Sequence, residues 1–157
     1  MLDHFLGQRL STKRCERSHP HERALESAGL APRPEWVRAG TQNRHVARSI
    51  AEDILSRGER PTAIFAASDL QALGVLEAAR RLNIDVPGEL SVVGFDDVEI
   101  ASYANLTTVR QPLFESGKFG TELLLQALAG EELPTRMQSL PLELIARGTT
   151  APPRDRS

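Results

Sequence analysis

Cysteine is the scarcest chemistry in this chain. Cys15 is the one thiol in 157 residues, so no internal disulfide can form and a reducing compartment is the natural setting. An excess of one sign of charge is also missing, because 19 basic side chains against 21 acidic ones leave a formal charge of −2. A surface that grips nucleic acid unaided ordinarily carries a basic excess, so DNA binding by these residues is not expected. No apolar run approaches the length of a membrane span. The stretch from Met1 to Leu6 has no cationic start followed by a long apolar segment. A cytoplasmic protein without membrane contact is the expectation.

The usual marks of catalysis and cofactor binding are missing as well. No glycine-rich phosphate loop follows a strand-like run, and no Gly-x-Ser-x-Gly elbow occurs. Cys15, His19 and His21 stand close together, but His19-Pro20-His21 has no second ligand pair at zinc-like spacing. Ser68 has no histidine beside it in sequence, which leaves a nucleophile to depend on a distant base approaching in space. We therefore expect no metal, no cofactor and no enzymatic activity.

What the chain does have is the composition of a globular domain. An apolar share of 40% and a charged share of 25% argue against wholesale disorder, and 157 residues suffice for one core. Residues 1–150 are read as a single domain, followed by a polar, proline-containing tail over 151–157 that is expected to be disordered. Phe5-Leu6-Gly7 can end a short strand. His21 to Ala28 reads as a helix closed by Gly29. Val46, Ile50 and Ile54 recur every four residues and mark one face of a second helix.

Pro61 then opens Thr62-Ala63-Ile64-Phe65-Ala66-Ala67, a run apolar on both faces that suits a parallel strand covered on each side. A helix follows, with Leu70, Leu73, Leu76, Ala79 and Leu82 as its expected buried stripe. Pro87-Gly88 marks a turn, and Ser91 to Phe95 is a second apolar strand. Strand, helix and strand with short connections make a βαβ unit with a right-handed crossover. Leu106 to Val109 reads as a third strand, and Gln111-Pro112 starts a helix lined by Leu113, Gly117, Gly120, Leu124 and Leu128. Those glycines imply close packing against another backbone. Leu140 to Ala146 is the last expected strand. The fold class is α/β, with a parallel sheet.

Two strand ends carry polar groups, Ser68-Asp69 and Asp96-Asp97. In open parallel sheets ligands bind outside the carboxyl ends of the strands, where carboxylates can accept paired hydrogen bonds from sugar hydroxyls. The competing reading is that these side chains only cap the following helices. Arg17 is a further candidate, since a planar guanidinium grips vicinal oxygens or a carboxylate in two places. Its local alternative is a solvated charge among Arg14, Glu16 and Arg23.

The run from Pro61 to Asp69 resembles LacI/GalR-type transcriptional regulators. So do Leu82 to Glu89, Ser91 to Asp97, Leu106 to Pro112 and Arg147 to Pro152, in matching order and spacing. The resemblance implies a periplasmic-binding-protein-like lobe, incomplete on its N-terminal side, in which a small effector, commonly a sugar or a nucleobase, changes operator affinity. It implies effector contacts at Asp96 and Ser68, and at Arg17, although Pro20-His21 stands where the family has a Gly-aromatic pair. Gln42 lies near where the family often offers an aromatic face. The resemblance also implies a homodimer formed through the helix beginning at Leu70 and the segment from Val98 to Tyr103. The helix over residues 113–129 would belong to a first lobe absent from this chain, and DNA would be reached only through an absent headpiece. A sugar-binding protein of a periplasmic transport system is the alternative function on the same fold.

Overall fold

The computed structural model describes residues 5–7, 18–31, 33–131 and 139–152. Three parallel strands lie side by side at its centre, β3 (Ala63–Ala66), β4 (Ser91–Asp96) and β5 (Thr107–Arg110). Ile64 sits opposite Val92, and Val93 opposite Thr107. On the other side of β3 runs β1 (Phe5–Gly7), then β2 (Arg38–Ala39), both parallel to it. The sixth strand, β6 (Glu143–Ile145), pairs antiparallel with β5. The spatial order is β2-β1-β3-β4-β5-β6. The α/β, parallel-sheet expectation therefore holds.

The helices are α1 (Ser18–Ser27), α2 (Arg44–Leu55), α3 (Asp69–Arg81), α4 (Glu99–Tyr103) and α5 (Leu113–Leu128). The expected glycine closes α1: Gly29 takes φ +71°, a left-handed value that costs glycine nothing, and Leu30 N–H reaches back to Leu25 O at 2.9 Å. Asn43 starts α2 by accepting from the N–H groups of His45 and Val46. Ile64, Leu90, Val92 and Leu106 from the sheet region pack with Ala51 and Leu55 of α2 and Val75, Ala78 and Ala79 of α3 in one core.

Helix periods were legible, but the buried faces are rotated from those expected. In α3 the buried side includes Gln71, Ala72, Val75, Ala78 and Ala79, while Leu70 is 43% exposed and Leu73, Leu76 and Leu82 are half-buried. In α2 it is Ala47, Ala51, Ile54 and Leu55, with Val46 exposed. The reason is close approach. Gly74 lies so near α2 that a Cβ there would collide with the Arg44 carbonyl oxygen and come within 2.9 Å of Ala47 Cβ. Alanine and glycine fit such a crossing, and leucines are displaced to its margins.

Two expectations near the C-terminus change. The last strand was expected over Leu140 to Ala146, and only Glu143–Ile145 pairs. The glycines of α5 make no close packing among the described residues, because a Cβ at Gly117 or Gly120 would meet nothing within 4 Å. No α5 residue is buried, and Phe114 is 80% exposed. Ala151, placed by sequence at the start of the tail, bonds through its N–H and its carbonyl to the Ser91 hydroxyl. Residues 153–157 lie outside the described residues.

Helix propensity alone favours Gly74→Ala by about 1 kcal/mol, but the collision with backbone costs about 1–3 kcal/mol. Net destabilisation in urea denaturation is the expected outcome, and a stabilised variant would contradict the tight α2–α3 crossing.

Candidate functional site

The strand order reverses direction at β1: its successor β2 lies on one side and β3 on the other. Such switch points open a crevice at the carboxyl ends of the strands, where the connections diverge to opposite faces. Ser68, two residues beyond β3, and Asp96, at the end of β4, both sit on that edge. Arg17 lies outside the described residues; Pro20 and His21 are part of α1, and Gln42 is exposed ahead of α2.

Ser68 is an extended-backbone N-cap (φ −156°, ψ 159°) whose Oγ accepts from Gln71 N–H at 3.3 Å. It is buried, and its hydroxyl proton has no acceptor among the described residues. Both readings of Ser68 thus remain compatible with its geometry: it caps α3 and still holds a donor. Asp69 is different. Its carboxylate is fully buried and points inward, accepting from Thr108 Oγ1 and from Val98 N–H at 2.8 Å. Gly94 is required opposite, because a Cβ there would collide with Asp69 Oδ1. Asp69 ties α3 to β5 and to the turn after β4, and presents nothing to a ligand.

Sequence reasoning missed Gln71. Its side chain is wholly buried, accepting from Ala67 N–H at 3.1 Å and donating to Thr41 O at 2.9 Å. That amide holds the β3–α3 turn against the loop before α2. A polar residue inside an otherwise apolar helical stripe was the available signal.

The two adjacent aspartates at the end of β4 do unlike jobs. Asp96 takes φ +114° and Asp97 φ +58°, conformations that cost a non-glycine residue about 1–3 kcal/mol and need surrounding support. For Asp97 the support is ionic: Arg147 Nη2 and Arg110 Nε each donate to it at 2.7 Å, and its side chain is only 7% exposed. Burial pushes its carboxyl upward, but the two guanidinium groups outweigh this and hold it below the usual carboxylate range. Asp96 is half-buried and receives one bond, from Gln111 Nε2 to Oδ1 at 2.5 Å. Burial, with a smaller push from the Asp69 charge, raises its carboxyl above the usual range against the pull of Gln111. Its second oxygen has no partner among the described residues.

The segment from Arg147 to Thr150 runs beside β4 and β5, from Asp97 at the carboxyl edge to Val92 and Thr107 near the amino ends of the two strands. Arg147 also donates to Leu106 O at 2.8 Å, and its N–H donates to Thr107 Oγ1 at 2.9 Å. Thr149 Oγ1 accepts from Thr107 N–H and donates to Val92 O, bridging β4 and β5. Gly148 passes so close to Asn105 that a Cβ would collide with its side-chain amide.

Because the folded state lowers the Asp97 pKa, the stability it contributes is present above the ordinary carboxylate pKa. It is lost as pH falls through the lower folded value. Asp97→Asn should therefore cost on the order of 2 kcal/mol near neutrality, with the deficit from wild type shrinking in acid. Denaturation midpoints across pH check this, and a pH-independent deficit would contradict it.

Comparison with known proteins places these features in a family. A model of the periplasmic binding protein-like domain matches residues 4–150. The HTH-type transcriptional repressor PurR of Vibrio vulnificus (strain CMCP6) is 34% identical over 136 residues, covering 85% of this chain and 41% of the repressor. The dimeric Lac repressor with an 11-residue C-terminal deletion superposes with a TM-score of 0.87 at 29% identity, over 98% of this chain and 57% of that one. A complex of the transcriptional regulator CelR with cellobiose superposes with a TM-score of 0.84 at 27% identity, over 93% and 46% respectively. The chain spans about two fifths of the length of the curated relative it matches. With its reversed strand order and parallel sheet, it belongs to the periplasmic binding protein-like domain family, in the form carried by LacI-family transcriptional regulators.

Proposed function

We propose that this chain is the sensor domain of a LacI/GalR-like DNA-binding transcriptional regulator, taking a sugar-type small molecule at the carboxyl edge of its sheet. The observation that carries the reading is Asp96, whose carboxylate is held at one oxygen by Gln111 and unpartnered at the other among the described residues. A carboxylate so placed accepts from the hydroxyls of a neutral polyol in a half-desolvated setting, where charge-assisted bonds are strong. Ser68 adds a buried hydroxyl from the neighbouring strand end. Arg17 is carried as a third contact on the family resemblance alone. A solved relative is described as a cellobiose complex, which is in keeping with a sugar.

DNA contact would need a headpiece outside these residues, since a formal charge of −2 gives no basic excess. The matched relatives are regulators, which favours sensing over the transport alternative. The reading involves no catalysis and places the protein in the cytoplasm. No helix among the described residues is long and apolar enough to cross a membrane. The exposed leucines and Phe114 of α5 are read as the packing face for a further lobe.

Binding is the direct test. In a calorimetric screen of mono- and disaccharides, Asp96→Ala should weaken the best ligand about thirtyfold, since losing a buried charged hydrogen bond costs on the order of 2 kcal/mol. Unchanged affinity would overturn the site.

A second copy of the chain is the expected partner. Leu70 on α3 is exposed, as are Val98, Ile100 and Tyr103 on and beside α4, with Tyr103 at 77%. Sedimentation should show a dimer that Ile100→Asp dissociates by at least about tenfold, the scale of one buried apolar side chain. A monomer at high concentration would contradict this interface.

A further inference from the structure

Asp96 and Asp97 are clamped by two consecutive residues at the end of β5, Gln111 and Arg110, and the register sets Asp96 directly opposite Arg110. Yet the ion pair goes to Asp97, and Asp96 receives the neutral amide. Gln111 also stands where the chain leaves the sheet: its carbonyl accepts from Leu113 N–H at 2.9 Å, at the first residue of α5. One residue therefore joins the candidate ligand carboxylate, through its side chain, to the root of a helix with no buried residue, through its carbonyl.

We propose that Gln111 is a positioning residue for the effector, holding the Asp96 carboxylate with one oxygen presented and coupling its occupancy to the start of α5. The inference rests on the reading of Asp96 as an effector contact. Its chemistry is a division of valences. The Gln111 amide spends one N–H on Asp96 Oδ1, and its second N–H and its carbonyl oxygen have no partner among the described residues. Beside the presented Asp96 oxygen these form a donor and two acceptors, a pattern suited to adjacent hydroxyls of a neutral ligand. A ligand hydroxyl that drew Asp96 away from Gln111 would loosen the β5–α5 junction, and one that bridged the two would tighten it. Either way the helix root is altered.

The test needs no ligand. The carboxyl of Asp96 is titrated by ¹³C NMR in the full chain, in wild type, Gln111→Leu and Gln111→Glu. The other charges near it are Asp69 from α3, which bonds Thr108 and Val98, and Asp97, Arg110 and Arg147, which bond one another. None of these is changed. Removing the amide donor should move the Asp96 midpoint upward, and Glu at 111 should move it further by like-charge repulsion. Amide exchange gives the second readout: Asp96→Ala should speed exchange at Leu113 about tenfold, the scale of one charged hydrogen bond. A Gln111 amide that does not hold Asp96 in solution would leave the midpoint where it is, and one uncoupled from α5 would leave exchange at Leu113 unchanged.

An unchanged midpoint in both Gln111 variants, or unchanged exchange at Leu113 in Asp96→Ala, overturns the inference. Should Gln111→Leu fail to fold, Gln111→Glu carries the titration alone. If the midpoints and exchange shift while Asp96→Ala leaves saccharide binding intact, the pairing stands and the effector reading fails instead.

Discussion

A single buried carboxylate holds the candidate site in shape. Asp69 has no exposure, and each of its oxygens is spoken for, one by Thr108 on β5 and one by the Val98 N–H after β4. A carboxyl group in an apolar interior is tolerable only when it is hydrogen-bonded. That requirement fixes the entry of α3, the middle of β5 and the turn beyond Asp96-Asp97 relative to one another. It also demands glycine at 94, since any side chain there would occupy the space of the Asp69 oxygen. Ser68 immediately precedes this buried tie in the chain, and Asp96 stands two residues before the Val98 N–H that it holds.

With that tie in place, the end of β4 can support two consecutive residues in left-handed conformations. Asp97 spends its charge on Arg147 and Arg110. Its neighbour keeps an oxygen unspent among the described residues. The strap from Arg147 to Thr150 supplies both the guanidinium and the threonine hydroxyl that bridge β4 to β5. A motif that reads in sequence only as part of a family pattern is thus the brace behind the site. Rigidity comes from Asp69, Asp97 and the strap, and in the proposed reading recognition is left to Asp96.

Apolar surface marks the other functional axis. A globular chain normally buries its long aliphatic side chains or scatters them singly. Here they cluster on α5 and again around Leu70, Val98, Ile100 and Tyr103. At the α2–α3 crossing, meanwhile, small residues such as Ala47 and Gly74 stand where leucine would not fit. Bulk has been moved outward, which is the arrangement expected of a module that completes its packing against other protein.

Much of this was legible in the residues. The parallel strands, the βαβ unit, the glycine that ends α1 and the two polar strand ends follow from local rules. Runs apolar on both faces, capping side chains and left-handed glycines are properties of a few neighbouring residues. The family pattern over Pro61 to Pro152 added the expected roles of Asp96 and Ser68. Arg17 lies outside the described residues, so the fold adds nothing to it. The buried face of α3 was misjudged because periodicity reports which residues share a face, and only the distance to α2 decides whether alanine or leucine fits it. In the same way, Asp69 and Asp96 are chemically identical in sequence, each closing a strand. One became an internal brace and the other a presented acceptor because Thr108 and the Val98 N–H, 39 and 29 residues away, converge on the first and not the second. Sequence alone determined which groups stand at the carboxyl edge of the sheet; tertiary structure decided which are consumed there, since long-range hydrogen bonds, not local propensity, set a carboxylate's remaining valence.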